Sequence, residues 1–324
     1  MRTWFLCGLV AAGVLLPAGG ARAEEPCTPG PGRLGVSRTI EIDAASGPRF
    51  GGKKKEYEIL EPGEVILTFD DGPIRAYTRP ILNALEAHCS KATFFLVGKM
   101  AISDPATVKE YVRRGHTVGV HTWSHANLTH LTPLKARHEI ELGISAVAAA
   151  LGRPPAPFFR FPYLAEPRSM ILHLQGRHMA TFNIDVDSKD YRFHDAGDVH
   201  RKVMGDLAAA GKGIILFHDI QASTARALPA LLDDLKASGY RIVHMVPKEP
   251  ATTDPSYDAI AQRALERKHV ASAQDMPRRA WPTLVTPSGE KGEEGARRAR
   301  PAQAAPPSGN ADQPFGWLSK IFQQ

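Results

Sequence analysis

Between about Glu64 and Val246 the sequence alternates short apolar runs with segments that carry helix signals, and this alternation constrains the fold more than any other feature. The apolar or β-branched runs are Val65–Phe69, Thr93–Val97, Thr117–His121, Phe158–Phe161, Ala180–Val186, Ile214–Phe217 and Arg241–Met245. Each reads as a strand. The clearest helix has Thr132 as N-cap and Pro133 at its first position, carries Ile140, Ile144, Val147, Ala148 and Leu151 along one stripe, and stops at Gly152. Further helices are expected at Arg79–His88, Pro105–Arg114, Pro167–Gly176, Ala196–Ala210 and Thr224–Ser238. Strands separated by helices pair in parallel, because a parallel neighbour needs a crossover connection. An open doubly wound sheet and a closed barrel both satisfy the pattern, and both gather reactive groups at the carboxyl ends of strands.

Those ends carry chemically coherent clusters. Val65–Phe69 runs into Asp70-Asp71-Gly72-Pro73, and Thr117–Val120 into His121-Thr122-Trp123-Ser124-His125. Phe158-Phe159 leads into Arg160-Phe161-Pro162-Tyr163, Ile184 into Asp185–Tyr191, and Ile214–Phe217 into His218-Asp219. Two adjacent carboxylates at the end of an apolar strand repel and are costly to desolvate, so they need cationic partners. His121 and His125 stand four apart, the spacing by which two imidazoles bind one metal. A carboxylate from another strand end, Asp70 or Asp71, completes a three-ligand set with room for water. Hydrolysis at such a site also needs a base for the water and an acid for the leaving group. Arg160, Asp190 and His218 have the right types, since an Arg keeps a neighbouring carboxylate ionised and an Asp orients a His.

Five motifs thus follow one another: Thr68-Phe69-Asp70-Asp71-Gly72-Pro73, His121-Thr122-Trp123-Ser124-His125, Arg160-Phe161-Pro162-Tyr163, Asp187-Ser188-Lys189-Asp190-Tyr191 and Leu216-Phe217-His218. With them, and with Ala92–Gly98 as a second strand, the chain resembles the polysaccharide deacetylases of the NodB homology type, carbohydrate esterase family 4. The resemblance implies an α/β fold, a distorted (β/α)7 barrel. It implies that Asp71, His121 and His125 hold one divalent metal, usually zinc, with cobalt or nickel tolerated. Asp70 would be the general base, tuned by Arg160, and the backbone N–H of Tyr163 would stabilise the oxyanion. His218, oriented by Asp190, would protonate the leaving amine. Tyr191 and Leu216 would line the acetyl pocket, Tyr191 standing where the family usually has Trp. Leu164 stands where Gly often follows the third motif, and Leu resists the positive φ that Gly permits. Asp185 and Asp187 flank the fourth motif, and which of them assists His218 is open. The implied activity is N-deacetylation of an N-acetylated polysaccharide or oligosaccharide by a monomer. O-acetyl ester hydrolysis uses the same tetrahedral chemistry. A catalytically silent carbohydrate-binding envelope protein would have lost a metal ligand, and all three are present. His116, His130, Trp123 and Lys53-Lys54-Lys55 read as structural or surface groups.

The ends differ from the middle. Residues 1–23 begin with Arg2, run through the apolar stretch Trp4–Leu16 and finish in Gly20-Ala21-Arg22-Ala23, which reads as a secretory signal cleaved after Ala23. The apolar stretch is short of the roughly 20 residues that cross a bilayer, so no transmembrane span is expected in the mature chain. Secretion across an inner membrane, to a periplasm or the exterior, follows. Cleavage removes Cys7 and leaves Cys27 and Cys89, which either form a disulfide in that oxidising compartment or remain a leader thiol and a buried one. Residues 24–60 read as a leader, 61–247 as the deacetylase domain, and 248–324 as a Pro/Arg-rich disordered tail. Nine of the 26 prolines fall in that tail, which ends in the apolar residues Phe315, Trp317, Leu318, Ile321 and Phe322. Over the whole 324 residues, 43% hydrophobic and 23% charged composition excludes a wholly disordered or multi-span membrane chain. A net charge of +6, spread along the sequence, gives no reason to expect a nucleic-acid partner.

Overall fold

A computed structural model describes residues 27, 30 and 32–274. The strands are β1 (Arg38–Ile42), β2 (Arg49–Phe50), β3 (Glu64–Asp70), β4 (Thr93–Leu96), β5 (Thr117–Val120), β6 (Phe158–Phe159), β7 (Ala180–Phe182), β8 (Val186–Asp187), β9 (Gly213–His218) and β10 (Arg241–Pro247). The helices are α1 (Arg75–Ala87), α2 (Gly98–Ser103), α3 (Pro105–Arg113), α4 (Pro133–Leu151), α5 (Arg168–Gly176), α6 (Ala196–Ala210), α7 (Ala222–Ala237) and α8 (Pro255–Gln274). Every strand pairing is parallel. From β3 the sheet runs through β4, β5, β6, β7 and β2 on one side and through β9 and β8 on the other, and β10 joins β1 to the start of β3. This is the distorted barrel, and its seam lies where the chain passes from β7 to β8.

Side-chain parity explains both layers. In β3, Val65, Leu67 and Phe69 pack with Ile81, Leu85 and Leu231 of the helices, whereas Ile66 packs in the interior with Phe95, Phe158, Phe182 and Ile214. Alternation along a strand then puts Thr68 and Asp70 on the interior face with Ile66. Stacked and tilted rings plug that interior, with Phe182 4.9 Å from Phe158, 5.1 Å from Phe50 and 5.8 Å from Phe95. The polar residues sit above this plug.

The helix at Thr132–Gly152 forms as its caps predict: Thr132 Oγ1 accepts from the Lys135 N–H, and Gly152 closes the end at φ 77°. Four readings change. Ala180–Val186 is not one strand, because the Asn183 side chain accepts the Ile184 N–H and Asp185 accepts the Ile214 N–H, which shifts the chain from β6 to β9 as partner. The first helix starts at Arg75 rather than Arg79, with Pro80 inside it. Residues 38–50, read as leader, contribute β1 and β2. Residues 255–274, read as disordered tail, form α8, whose stripe Tyr257, Ile260, Ala261, Ala264 and Leu265 packs on Leu142 and Ala146 of α4. That stripe keeps the i, i+3, i+4, i+7, i+8 spacing despite the local proline content.

Cys27 and Cys89 form a disulfide with a Cα separation of 5.4 Å. The expected signal at 1–23 and the apolar residues at 315–322 lie outside the described residues. Among the described residues no helix is long and apolar enough to cross a membrane.

Candidate active site and metal centre

The carboxyl ends of β3, β5, β6, β8 and β9 converge on a cavity of about 300 Å³ lined by Asp70, Asp71, His121, His125 and His218. Asp71 and His125 both adopt positive φ, 77° and 59°. The His125 and His121 Nε2 atoms lie 3.3 Å and 3.5 Å from Asp71 Oδ1. Three potential ligand atoms, one from each of these residues, fall within 4.8 Å of one another. Among the described residues, neither oxygen of the buried Asp71 carboxylate has a hydrogen-bond donor. A buried, donorless carboxylate facing two imidazoles is costly on its own and fits a cation. His121 is held down to about 3 by burial and by His125, so it is a neutral imidazole, the form that ligates. Its Nδ1 meets the Arg160 carbonyl at 2.7 Å, which leaves Nε2 toward Asp71.

Asp70 stands beside this group, its Oδ2 3.9 Å from His121 Nε2. Arg160, fully buried, donates Nη1–H to Asp70 Oδ1 and to Thr68 Oγ1, both at 2.8 Å, and lies over the Phe95 ring at 4.3 Å. Burial pushes the Asp70 carboxyl up to about 6, although the charges of Arg160 and His218 pull it down. The result is a base poised close to neutrality.

On the opposite flank, Asp190 Oδ1 meets His218 Nδ1 at 2.7 Å, and Asp190 Oδ2 accepts the His218 N–H at 2.7 Å and the Thr224 hydroxyl. Burial alone would lower His218, but the Asp190 carboxylate pushes it up to about 10. His218 is therefore an imidazolium, Nδ1–H on Asp190, with Nε2–H left as the second donor. Of the acidic residues near the fourth motif, Asp190 is the partner of His218. Asp187 accepts the Lys189 N–H, and Asp185 braces the seam at Ile214.

Tyr191 and Leu216 both line the cavity, Tyr191 edge-on to His218 with ring centroids 5.7 Å apart. Tyr163 and Leu164 take φ of 59° and 54°, so the third-motif turn adopts the left-handed backbone despite carrying Leu in place of Gly. His116 is buried and accepts the Ala92 N–H, His130 is exposed, and Trp123 packs against the apolar cluster shared by α2, α4 and α8; none of them joins the ligand group. Sequence reasoning passed over Thr224, which was legible only as a helix start.

Residues 58–179 match the family described as Polysaccharide deacetylase. The chain is 36% identical over 180 residues to a peptidoglycan-N-acetylglucosamine deacetylase of Listeria monocytogenes, covering 55% of this chain and 37% of that protein. It is 31% identical over 214 residues to a peptidoglycan-N-acetylglucosamine deacetylase of Bacillus cereus, covering 62% of this chain and 73% of that protein. Among solved structures, a peptidoglycan deacetylase of Bdellovibrio bacteriovorus superposes with a TM-score of 0.61 at 32% identity, covering 67% of this chain and 60% of that one. The chain thus spans little more than a third of the Listeria relative's length.

Proposed function

The chain belongs to the polysaccharide deacetylase family, and on that premise we propose that it is a metal-dependent N-deacetylase that cleaves the acetamide of N-acetylated sugars in a polysaccharide. Peptidoglycan is the favoured polymer, because the relatives from Listeria and Bacillus cereus are named for that substrate. The observation that carries the reading is the arrangement around Asp71, His121 and His125: an Arg-paired carboxylate on one flank and an Asp-paired imidazolium on the other.

Asp71, His121 and His125 would hold one divalent metal, zinc by preference and cobalt or nickel as substitutes. When bound, it would polarise the acetamide carbonyl and acidify a water beside Asp70. Asp70 takes the proton as the water oxygen adds to the carbonyl carbon. Arg160 holds that carboxylate in one rotamer through Oδ1 and leaves Oδ2 toward the cavity. The Tyr163 N–H, presented by the left-handed turn, donates to the developing oxyanion. His218 gives its Nε2 proton to the sugar nitrogen as the C–N bond breaks, so the products are acetate and a free amine. Asp190 keeps the imidazolium charged and aimed until that step.

The site acts outside the cytoplasm. The apolar leader with its small-residue end supports export, and the Cys27–Cys89 disulfide belongs to an oxidising compartment. Amino-terminal sequencing of the exported protein is expected to begin at Glu24, and a chain that retains its leader in the cytoplasm would refute this. For the activity, the purified full chain with zinc is expected to release acetate and expose amines on peptidoglycan or on N-acetylglucosamine oligomers. Acetate release from O-acetylated xylan alone would replace the amide reading with an ester one, and no release from any polymer by the metal-loaded chain would refute both.

A further inference from the structure

The two histidines of the metal group are held in different ways. His121 is oriented through its own ring, Nδ1 against the Arg160 carbonyl. His125 Nδ1 is buried and, among the described residues, has no hydrogen-bond partner. Metal-ligating histidines usually depend on such a partner for their ring orientation. The aim of His125 therefore depends on its backbone and on packing against the Tyr163 ring, 4.8 Å away.

That backbone is strained. Thr122 and His125 both have positive φ, 65° and 59°, without being glycine. Such conformations are unfavourable for residues with a Cβ and persist only where the surroundings over-determine them. The surroundings here are α4. The Glu139 carbonyl accepts the Trp123 N–H at 2.8 Å, and the Glu139 carboxylate accepts both the Ser124 N–H and the Ser124 hydroxyl at 2.8 Å. One turn further on, Gly143 lets the helix press against the loop, since a Cβ there would lie 2.6 Å from the Thr122 carbonyl carbon. Three donors of the loop thus converge on a single residue, immediately before the ligand that lacks a partner of its own.

We propose that Glu139 is the positioning residue for His125, fixing the metal-binding loop through Ser124 in place of the missing contact at Nδ1. The inference rests on the metal-site reading above. Removing the carboxylate frees Ser124 to relax and lets the His125 ring swing, while the Trp123 tether on the Glu139 carbonyl survives any side-chain change.

The test is titration of the apo full chain with cobalt(II) and zinc(II), reading the cobalt d–d absorption and competition with a chromogenic chelator. Glu139→Ala is expected to weaken both ions by about 10- to 100-fold and to alter the cobalt spectrum. Glu139→Gln, whose amide oxygen still accepts the Ser124 N–H, recovers most of the affinity. Glu139→Asp, one methylene shorter and equally charged, binds more weakly than Glu139→Gln. Ser124→Ala keeps its N–H and loses less than Glu139→Ala. Should Glu139→Ala fail to fold, the order of Gln over Asp decides the matter. Parent-like binding by every variant overturns this inference alone, as does a loss of affinity that merely follows the loss of apo melting temperature across the series. A parent chain that takes up neither ion overturns the metal-site reading as well.

Discussion

Asp70 and His218 are register partners at the ends of adjacent parallel strands, β3 and β9. The ladder from Val65 opposite Gly213 to Asp70 opposite His218 brings the proposed base and acid to one rim of the barrel, both on the interior face. The two groups titrate apart because their partners differ. Asp70 has an arginine that only partly offsets its burial, whereas His218 has a carboxylate that more than offsets it.

Asp70→Asn should therefore remove the base without moving the ladder. Acetate release is expected to fall by about 10²–10⁴-fold, the usual worth of a general base. Zinc uptake by the same sample, measured by metal analysis, should stay at the parental level, since Asp70 lies beside the ligand set rather than in it. A variant that also lost its metal would make Asp70 a ligand instead.

Arg160 and Asp70 form a buried pair, so breaking it from one side strands a charge. Arg160→Met is expected to cost about 3–5 kcal/mol in denaturant unfolding. Adding Asp70→Asn to that variant removes the stranded carboxylate and should restore at least about 1 kcal/mol while leaving the enzyme inactive. Strict additivity of the two changes would show that the pair does not couple.

Chelation offers an independent check of the metal group. The donorless Asp71 oxygens are a standing cost of the apo state, so zinc should stabilise the fold as well as activate it. At a zinc concentration one hundred times its dissociation constant the gain is about 2.7 kcal/mol, read as a rise in melting temperature of several degrees. Asp71→Asn should abolish that rise.

The strand and helix order was legible because it is written in local spacing, whereas the choice of a barrel over an open sheet came from the five motifs and the family they resemble. The alternation of Ile66, Thr68 and Asp70 with Val65, Leu67 and Phe69 reports the two faces of β3 before any pairing is known. What escaped was written in partners distant along the chain. The seam at Asn183 depends on which strand lies beside it, and the clamp of Glu139 on Ser124 depends on how α4 docks. The helix at 255–274 escaped for a different reason: proline content obscured a regular stripe from Tyr257 to Leu265. The disulfide could not be decided from sequence, because two cysteines 62 apart carry no record of their Cα separation.

That disulfide closes a long loop between the residues before β1 and the end of α1. In the chain-entropy account its removal costs about 4 kcal/mol, and measured values usually fall lower. Cys27→Ser with Cys89→Ser is expected to lower the melting temperature by about 5–15 °C while sparing turnover at low temperature. Reductant should reproduce the shift in the parent and leave the double variant unchanged.

The other end of the barrel carries a pH effect of its own. His244 is buried, with Nε2 3.0 Å from the Thr117 hydroxyl, and burial together with the nearby Lys91 charge lowers it to about 4. His116 is lowered in the same direction, by burial first and then by the Lys91 and His244 charges. The unfolded chain takes up a proton at His244 near pH 6.5, whereas the folded one resists until about 4. Between those values the unfolded state binds more protons, so folding stability rises with pH and its His244 component is fully present above 6.5. Across that window the component amounts to about 3 kcal/mol. His244→Gln keeps a hydrogen bond to Thr117 and cannot titrate, so its melting temperature is expected to fall less steeply from pH 6.5 to 4 than that of the parent. Equal slopes for the two proteins would mean that His244 is already charged in the fold. The metal group lies at the opposite rim, so the difference should persist in the presence of a chelator.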